Sequence, residues 1–164
     1  MPLISGPIQP NSAEDQTYAE RIVENLVRLE ALLMKVGDEC YPQVSGDEMK
    51  EFIAVRNLTT EEAELLSEYV GEGKVLSKVG IALSWLNQQL EVQCNWTTPL
   101  FTTMFYLQSI SVTVTYGGPT TTIEVSDSDV ITIISSGVPS IEAHLPYLSD
   151  SVWDAVRSWE GYSR

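Results

Sequence analysis

Basic residues are scarce in this chain: nine Lys and Arg stand against 23 Asp and Glu, a net charge of −14 over 164 residues. A surface so short of cations repels phosphate, which argues against a DNA or RNA partner, and the same sign argues against an anionic membrane. Histidine is scarcer still. The single one, His144 in Ala143-His144-Leu145-Pro146, has no Cys or Ser motif beside it. A nucleophile–base pair or a His-rich zinc site therefore lacks its parts, and His144 reads as a packed or surface side chain. The two cysteines, Cys40 and Cys94, belong to no CxxC or Cys/His pattern. They read as buried or half-buried free thiols, with a disulfide as the alternative. No apolar run approaches the ~20 residues of a membrane span. Met1 to Pro10 lacks the basic start and apolar core of a signal peptide, so the expectation is synthesis in the cytosol. Asn57-Leu58-Thr59 and Asn95-Trp96-Thr97 match glycosylation acceptors, and without a secretion signal they read as chance matches.

What is present is an ordinary globular mixture. Hydrophobic residues make up 43% and charged residues 20%, which separates the chain from disordered sequences. Its length suits one domain, or two small ones sharing a core. The acidic excess fits solubility at high local concentration, salt tolerance or a basic protein partner.

Residues 1–11 (MPLISGPIQPN) hold Pro2, Pro7 and Pro10. They suit neither helix nor central strand and are expected to form an extended arm along a neighbouring chain. Ser12, followed by Glu14 and Asp15, reads as the cap of a helix to about Glu39. Its apolar stripe is Ala19, Ile22, Leu26, Leu29, Leu33 and Val36, widened by Val23, Val27 and Leu32. A short helix is expected over 46–55 with Met49, Phe52 and Ile53 inward. Another opens at Thr59-Thr60-Glu61-Glu62 and runs to about Val70. A fourth spans Val75 to Val92, with Val75, Val79, Leu83, Leu86 and Leu90 on one stripe. Residues 12–95 thus form a bundle of about four helices.

Composition changes at Trp96. No lysine follows Lys78, and Ser and Thr become frequent. Ile110, Val112, Val114 and Tyr116 alternate with polar residues, the period-two pattern of a half-buried strand. Gly117-Gly118-Pro119 turns the chain into a returning strand at Thr121, Ile123 and Val125, and Asp127-Ser128-Asp129 turns it into a third over Val130 to Ile134. Thr102 to Gln108 fits either a further strand or a helix end. A closing helix is expected at about 149–159, carrying Val152, Trp153, Val156 and Trp159. The fold class is therefore α+β, with 96–164 a β-meander plus C-terminal helix forming one compact unit with 12–95.

Little of this points to catalysis. Val70-Gly71-Glu72-Gly73-Lys74 lacks the spacing and the Ser/Thr of a phosphate loop and reads as a turn. Asp38-Glu39 with Asp47-Glu48, or Asp127 with Asp129, offers oxygen ligands, but neither matches a calcium loop; solvated turns are the plainer reading. No catalytic, cofactor or metal residue is assigned. Trp153 and Trp159 suit a core or a subunit interface equally. A meander leaves two edges without lysine to blunt them; an edge either accepts a strand from a neighbour or is covered by the helices or arm of the same chain, and the two readings weigh equally.

The proline-rich arm MPLISGPIQP, the acidic helical bundle and the Thr-rich hairpin at Tyr116-Gly117-Gly118-Pro119 resemble tailed-phage virion proteins, nearest the head–tail connector (adaptor) class and next capsid-decoration proteins. The resemblance lies in layout across the chain. It implies a non-enzymatic virion subunit, present in ring or lattice copies and bound to other structural proteins, with neither nucleic acid nor membrane as partner. The interface candidates are Pro2, Ile4, Pro7, Ile8 and Pro10 of the arm, Tyr116 and Pro119 of the hairpin, and Trp153, Trp159 and Tyr162 near the C-terminus. The rival readings are a small acidic ligand-binding or enzymatic domain using carboxylates, and an acidic mimic of nucleic acid.

Overall fold

The computed structural model describes residues 12–98, 100, 105–115, 120–135 and 137–163, with side chains described within 17–158. The fold is α+β, helices first, then an antiparallel meander, then a closing helix. Two compact units divide it. One joins the chain up to Asn25 with Gln89–His144, and the other joins Leu26–Gln88 with Leu145–Arg164.

Helix α1 (Ser12–Val36) follows most of the expected stripe: Ala19, Leu26, Leu29, Leu32, Leu33 and Val36 are buried, Ile22 and Val23 are half-buried, and Val27, expected to widen it, is exposed. It stops three residues short of Glu39 because Gly37 takes φ 60°, a left-handed conformation that glycine adopts without Cβ strain. Helices α2 (Gly46–Val55) and α3 (Thr60–Tyr69) each open with a reciprocal cap. Ser45 Oγ accepts from Glu48 N while Ser45 N donates to the Glu48 carboxylate; Thr59 and Glu62 repeat the arrangement. Each such cap contributes about 1 kcal/mol. Between the two helices, Leu58 N donates to Ile53 O and Asn57 N to Ala54 O. That pairing closes the end of α2, and Asn57 takes φ 54° to allow it. The Asn57-Leu58-Thr59 triplet is thus a helix-stop and helix-start signal. Residues 41–44 run against 73–76 through backbone bonds, Tyr41 with Leu76 in both directions and Val44 with Lys74 and Gly73.

The expected helix over Val75–Val92 is corrected. Helix α4 covers only Lys78–Asn87, capped by Ser77, whose hydroxyl accepts from Gly80 N. Leu76 is held extended by Tyr41, and Glu91 onward is strand. Val75 and Leu90, placed on the buried stripe from sequence, are exposed, while Ile81, Ala82, Trp85 and Leu86 are buried. Helix α5 (Pro146–Ser163) is longer than expected at both ends and packs against α4, as does α3.

Among the described residues the sheet has five strands in sequence order: β1 (Glu91–Thr97), β2 (Tyr106–Thr115), β3 (Thr121–Ser126), β4 (Val130–Ser135) and β5 (Ile141–His144). Tyr106–Gln108, left open between strand and helix end, is strand. Strands β1 and β5 were not expected. Register aligns Ile110 with Val125, Val112 with Ile123, Val125 with Ile131 and Ile123 with Ile133. These six side chains are all buried. Each contributes roughly 2 kcal/mol by leaving water. The alternate residues Ser109, Ser111, Thr122, Glu124 and Thr132 form the other, polar face. At the end of the apolar face, Thr121 and Ser135 are buried with their hydroxyls bonded to each other at 3.0 Å.

Candidate interaction surface

Most of the sequence-derived interface residues lie outside the described residues: Pro2, Ile4, Pro7, Ile8, Pro10, Tyr116 and Pro119. Trp159 and Tyr162 fall on α5, but their side chains are outside the described set. Trp153 is described and is 6% exposed, with the Arg157 guanidinium 5.4 Å from its ring centroid. It is a core side chain of the helical unit.

A different apolar surface stands out on the β1–β2 hairpin. Trp96, Leu100, Phe105 and Tyr106, at its connecting end, range from 39% exposure at Trp96 to 85% at Leu100, with Trp96 and Tyr106 on opposite faces of the strand pair; Leu90, at the other end of β1, is exposed too. Their placement follows from the register. Trp96 lies opposite Leu107 and Thr97 opposite Tyr106, at the end of the hairpin where the connecting segment begins. The register shifts between Asn95 and Trp96, so Gln108 has no direct partner; such a bulge re-aims the side chains beyond it. On the polar face below, the Asn95 amide donates to Ser109 Oγ at 3.0 Å and Ser111 Oγ at 2.9 Å, fixing β1 to β2. Sequence reading missed this surface. The signal was there in the strict alternation of Leu90, Val92, Cys94 and Trp96 with Glu91, Gln93 and Asn95.

The acidic pairs are mostly used in the fold. Asp38 meets Lys78 at 3.4 Å, and Glu39 meets Arg56. Asp47 and Glu48 occupy the first turn of α2, where their charge faces the positive end of the helix. Asp127 and Asp129 belong to the β3–β4 turn, Asp129 with φ 65°. Among the described residues, no group of three or more His, Cys, Asp or Glu is placed to hold a metal. Cys40 is exposed rather than buried, and Cys94 is half-buried. His144 is an exposed residue of β5, opposite Val130.

Among the described residues, two groups are shifted from their ordinary values. Burial and the neighbouring Glu68 charge push the Tyr69 phenol up. Burial pushes the Glu62 carboxyl up as well, but hydrogen bonds from Lys35 and Thr59 outweigh it and hold the group below its usual range. Lys35 Nζ lies 2.6 Å from Glu62 Oε1. Because the folded state lowers this pKa, the stabilisation is present above the unfolded-state value and is lost as pH falls through the folded one. We therefore expect Glu62→Gln to cost about 1 kcal/mol of stability at neutral pH, from cap and ion pair together, and so to lower the melting temperature. The gap to wild type should close on acidification; a gap unchanged down to acid pH contradicts the assignment.

Among the described residues no helix is long and apolar enough to cross a membrane. No family model, curated protein or solved structure matches the chain.

Proposed function

We propose that this chain is a non-enzymatic structural subunit that works by holding other protein chains. The observation that carries the reading is the connecting end of the β1–β2 hairpin, where Trp96, Leu100, Phe105 and Tyr106 are exposed on a protein of net charge −14. Large apolar side chains gathered on one exposed feature mark interaction sites, whereas singly scattered ones do not. The edge strands of the meander, β1 and β5, would add a second means of docking by taking a neighbour's strand. Several modest contacts on different neighbours give high avidity without any one large interface. The layout resemblance favours a phage virion as the assembly, at the head–tail connector first and as a capsid-decoration protein second. There the arm, a β edge and the C-terminal helix would reach neighbouring subunits. Comparing the isolated chain with its native source by size-exclusion chromatography and light scattering tests this. The expected result is migration with a large particle in the native source. A partnerless monomer there, binding a small ligand through its carboxylates, would overturn it.

A further inference from the structure

We propose that the connecting end of the β1–β2 hairpin inserts end-on into the surface of a zwitterionic lipid bilayer, with Leu100 and Phe105 as the inserting side chains. The inference goes beyond the assembly reading, in which holding other chains would then fall to the edge strands and the C-terminal helix. It also departs from the membrane-free partners that the layout resemblance implies.

Register sets the geometry. Trp96 pairs with Leu107 and Thr97 with Tyr106, the last two rungs of the ladder before the connection. Paired residues share a face and consecutive ones alternate, so Trp96 and Tyr106 lie on opposite faces at almost the same height. Leu100 and Phe105 lie in the connection itself, 85% and 64% exposed. A flat protein surface laid against the strand pair covers only one of its faces. Immersion of the end covers both. Trp96 and Tyr106 are each held by an interaction within the chain, and the exposed parts of their rings suit the headgroup level, where amphipathic aromatics gather. Hydrocarbon side chains beyond such a pair of rings follow the order in which a bilayer is entered.

Charge and area select the occupant. From Val92 to Ile123 there is no Asp, Glu, Lys, Arg or His, so no ionised side chain of this stretch has to leave water. The whole chain stands at −14, which opposes anionic lipid and favours a zwitterionic surface. With ~150–250 Å² for a whole large side chain, Leu100 and Phe105 offer about 300 Å², and Trp96 and Tyr106 raise the total to about 500 Å². A standard protein interface takes ~800 Å² from each partner. Insertion into lipid has no such threshold, because its strength scales with the apolar area buried.

Flotation of the full-length chain with phosphatidylcholine vesicles tests this. Wild type should float with them. Replacing part of the lipid by phosphatidylserine should weaken binding at low salt, with recovery on adding NaCl. Leu100→Asp and Phe105→Asp should each lower the partition coefficient by about tenfold or more, because a carboxylate must enter the layer. Both side chains are exposed, so thermal stability should stay close to that of wild type. Val55→Asp, at an exposed position on α2, should float as wild type does. A chain that stays unbound at every lipid concentration overturns the inference, as does flotation that ignores both hairpin substitutions or is strengthened by phosphatidylserine. A non-floating chain that forms a concentration-dependent dimer, lost in both hairpin variants, would overturn it in favour of a second copy. A non-floating chain that travels with a large particle in its native source would sink the lipid occupant and leave the assembly reading standing. Flotation of a chain that is a single molecule in its native source would do the reverse.

Discussion

Glu30→Ala is expected to lower stability by about 3 kcal/mol, because it strips the N-terminus of α5 of its acceptor. That helix starts at Pro146, which has no N–H, after Leu145, which has no side-chain oxygen. Its first free donors, Tyr147 N and Leu148 N, point instead at the Glu30 carboxylate of α1, at 3.0 and 2.7 Å. Glu30 is 7% exposed, so water does not replace the lost acceptor. A carboxylate here also meets the positive end of the helix dipole. At about 2–4 °C per kcal/mol for a chain of this size, the melting temperature should fall by roughly 6–12 °C. Glu30→Gln keeps one acceptor oxygen and should lose about half as much. A melting temperature unchanged in Glu30→Ala would show that α5 does not depend on this bond.

Trp153→Ala should be more damaging, with a loss of about 3–5 kcal/mol from the transferred area and the cavity left behind. Trp153 shares the buried side of α5 with Val152, Ala155 and Val156, and α5 packs on α4, whose Trp85 and Leu86 are buried too. Small domains hold only ~5–15 kcal/mol in total, so at the low end of that range the variant would be largely unfolded at ambient temperature. Trp153→Phe, which keeps most of the volume, should retain most of the stability. Arg157→Ala removes an exposed cation above the ring and its exposed pair with Asp154, and should cost about 1 kcal/mol or less. Equal thermal losses in Trp153→Ala and Arg157→Ala would contradict the core placement.

The helical stripe of α1 and the caps at Ser45 and Thr59 were legible because they are local: spacing and neighbouring side chains determine them. β2, β3 and β4 were legible through alternation between glycine and aspartate turns. What failed was the end of α4. Val75 and Leu90 keep helical spacing by coincidence, while the Tyr41–Leu76 backbone bonds and the β1–β2 ladder hold the flanking residues extended. Such long-range pairing overrides a periodicity confined to one segment. β5 has four residues, too few for a period to register. Glu30 reads as an ordinary helix acid until α5 arrives from more than a hundred residues away. The hairpin surface needed both kinds of knowledge, the alternation along β1 and the burial that leaves its apolar members in water.

The most direct test of the assembly role is an image of the particle that carries this chain in its native source, by negative-stain electron microscopy after affinity purification. A structural subunit predicts a regular ring or lattice of repeated copies. Purification of the chain as a single molecule, with no repeating neighbour in the images, would contradict it.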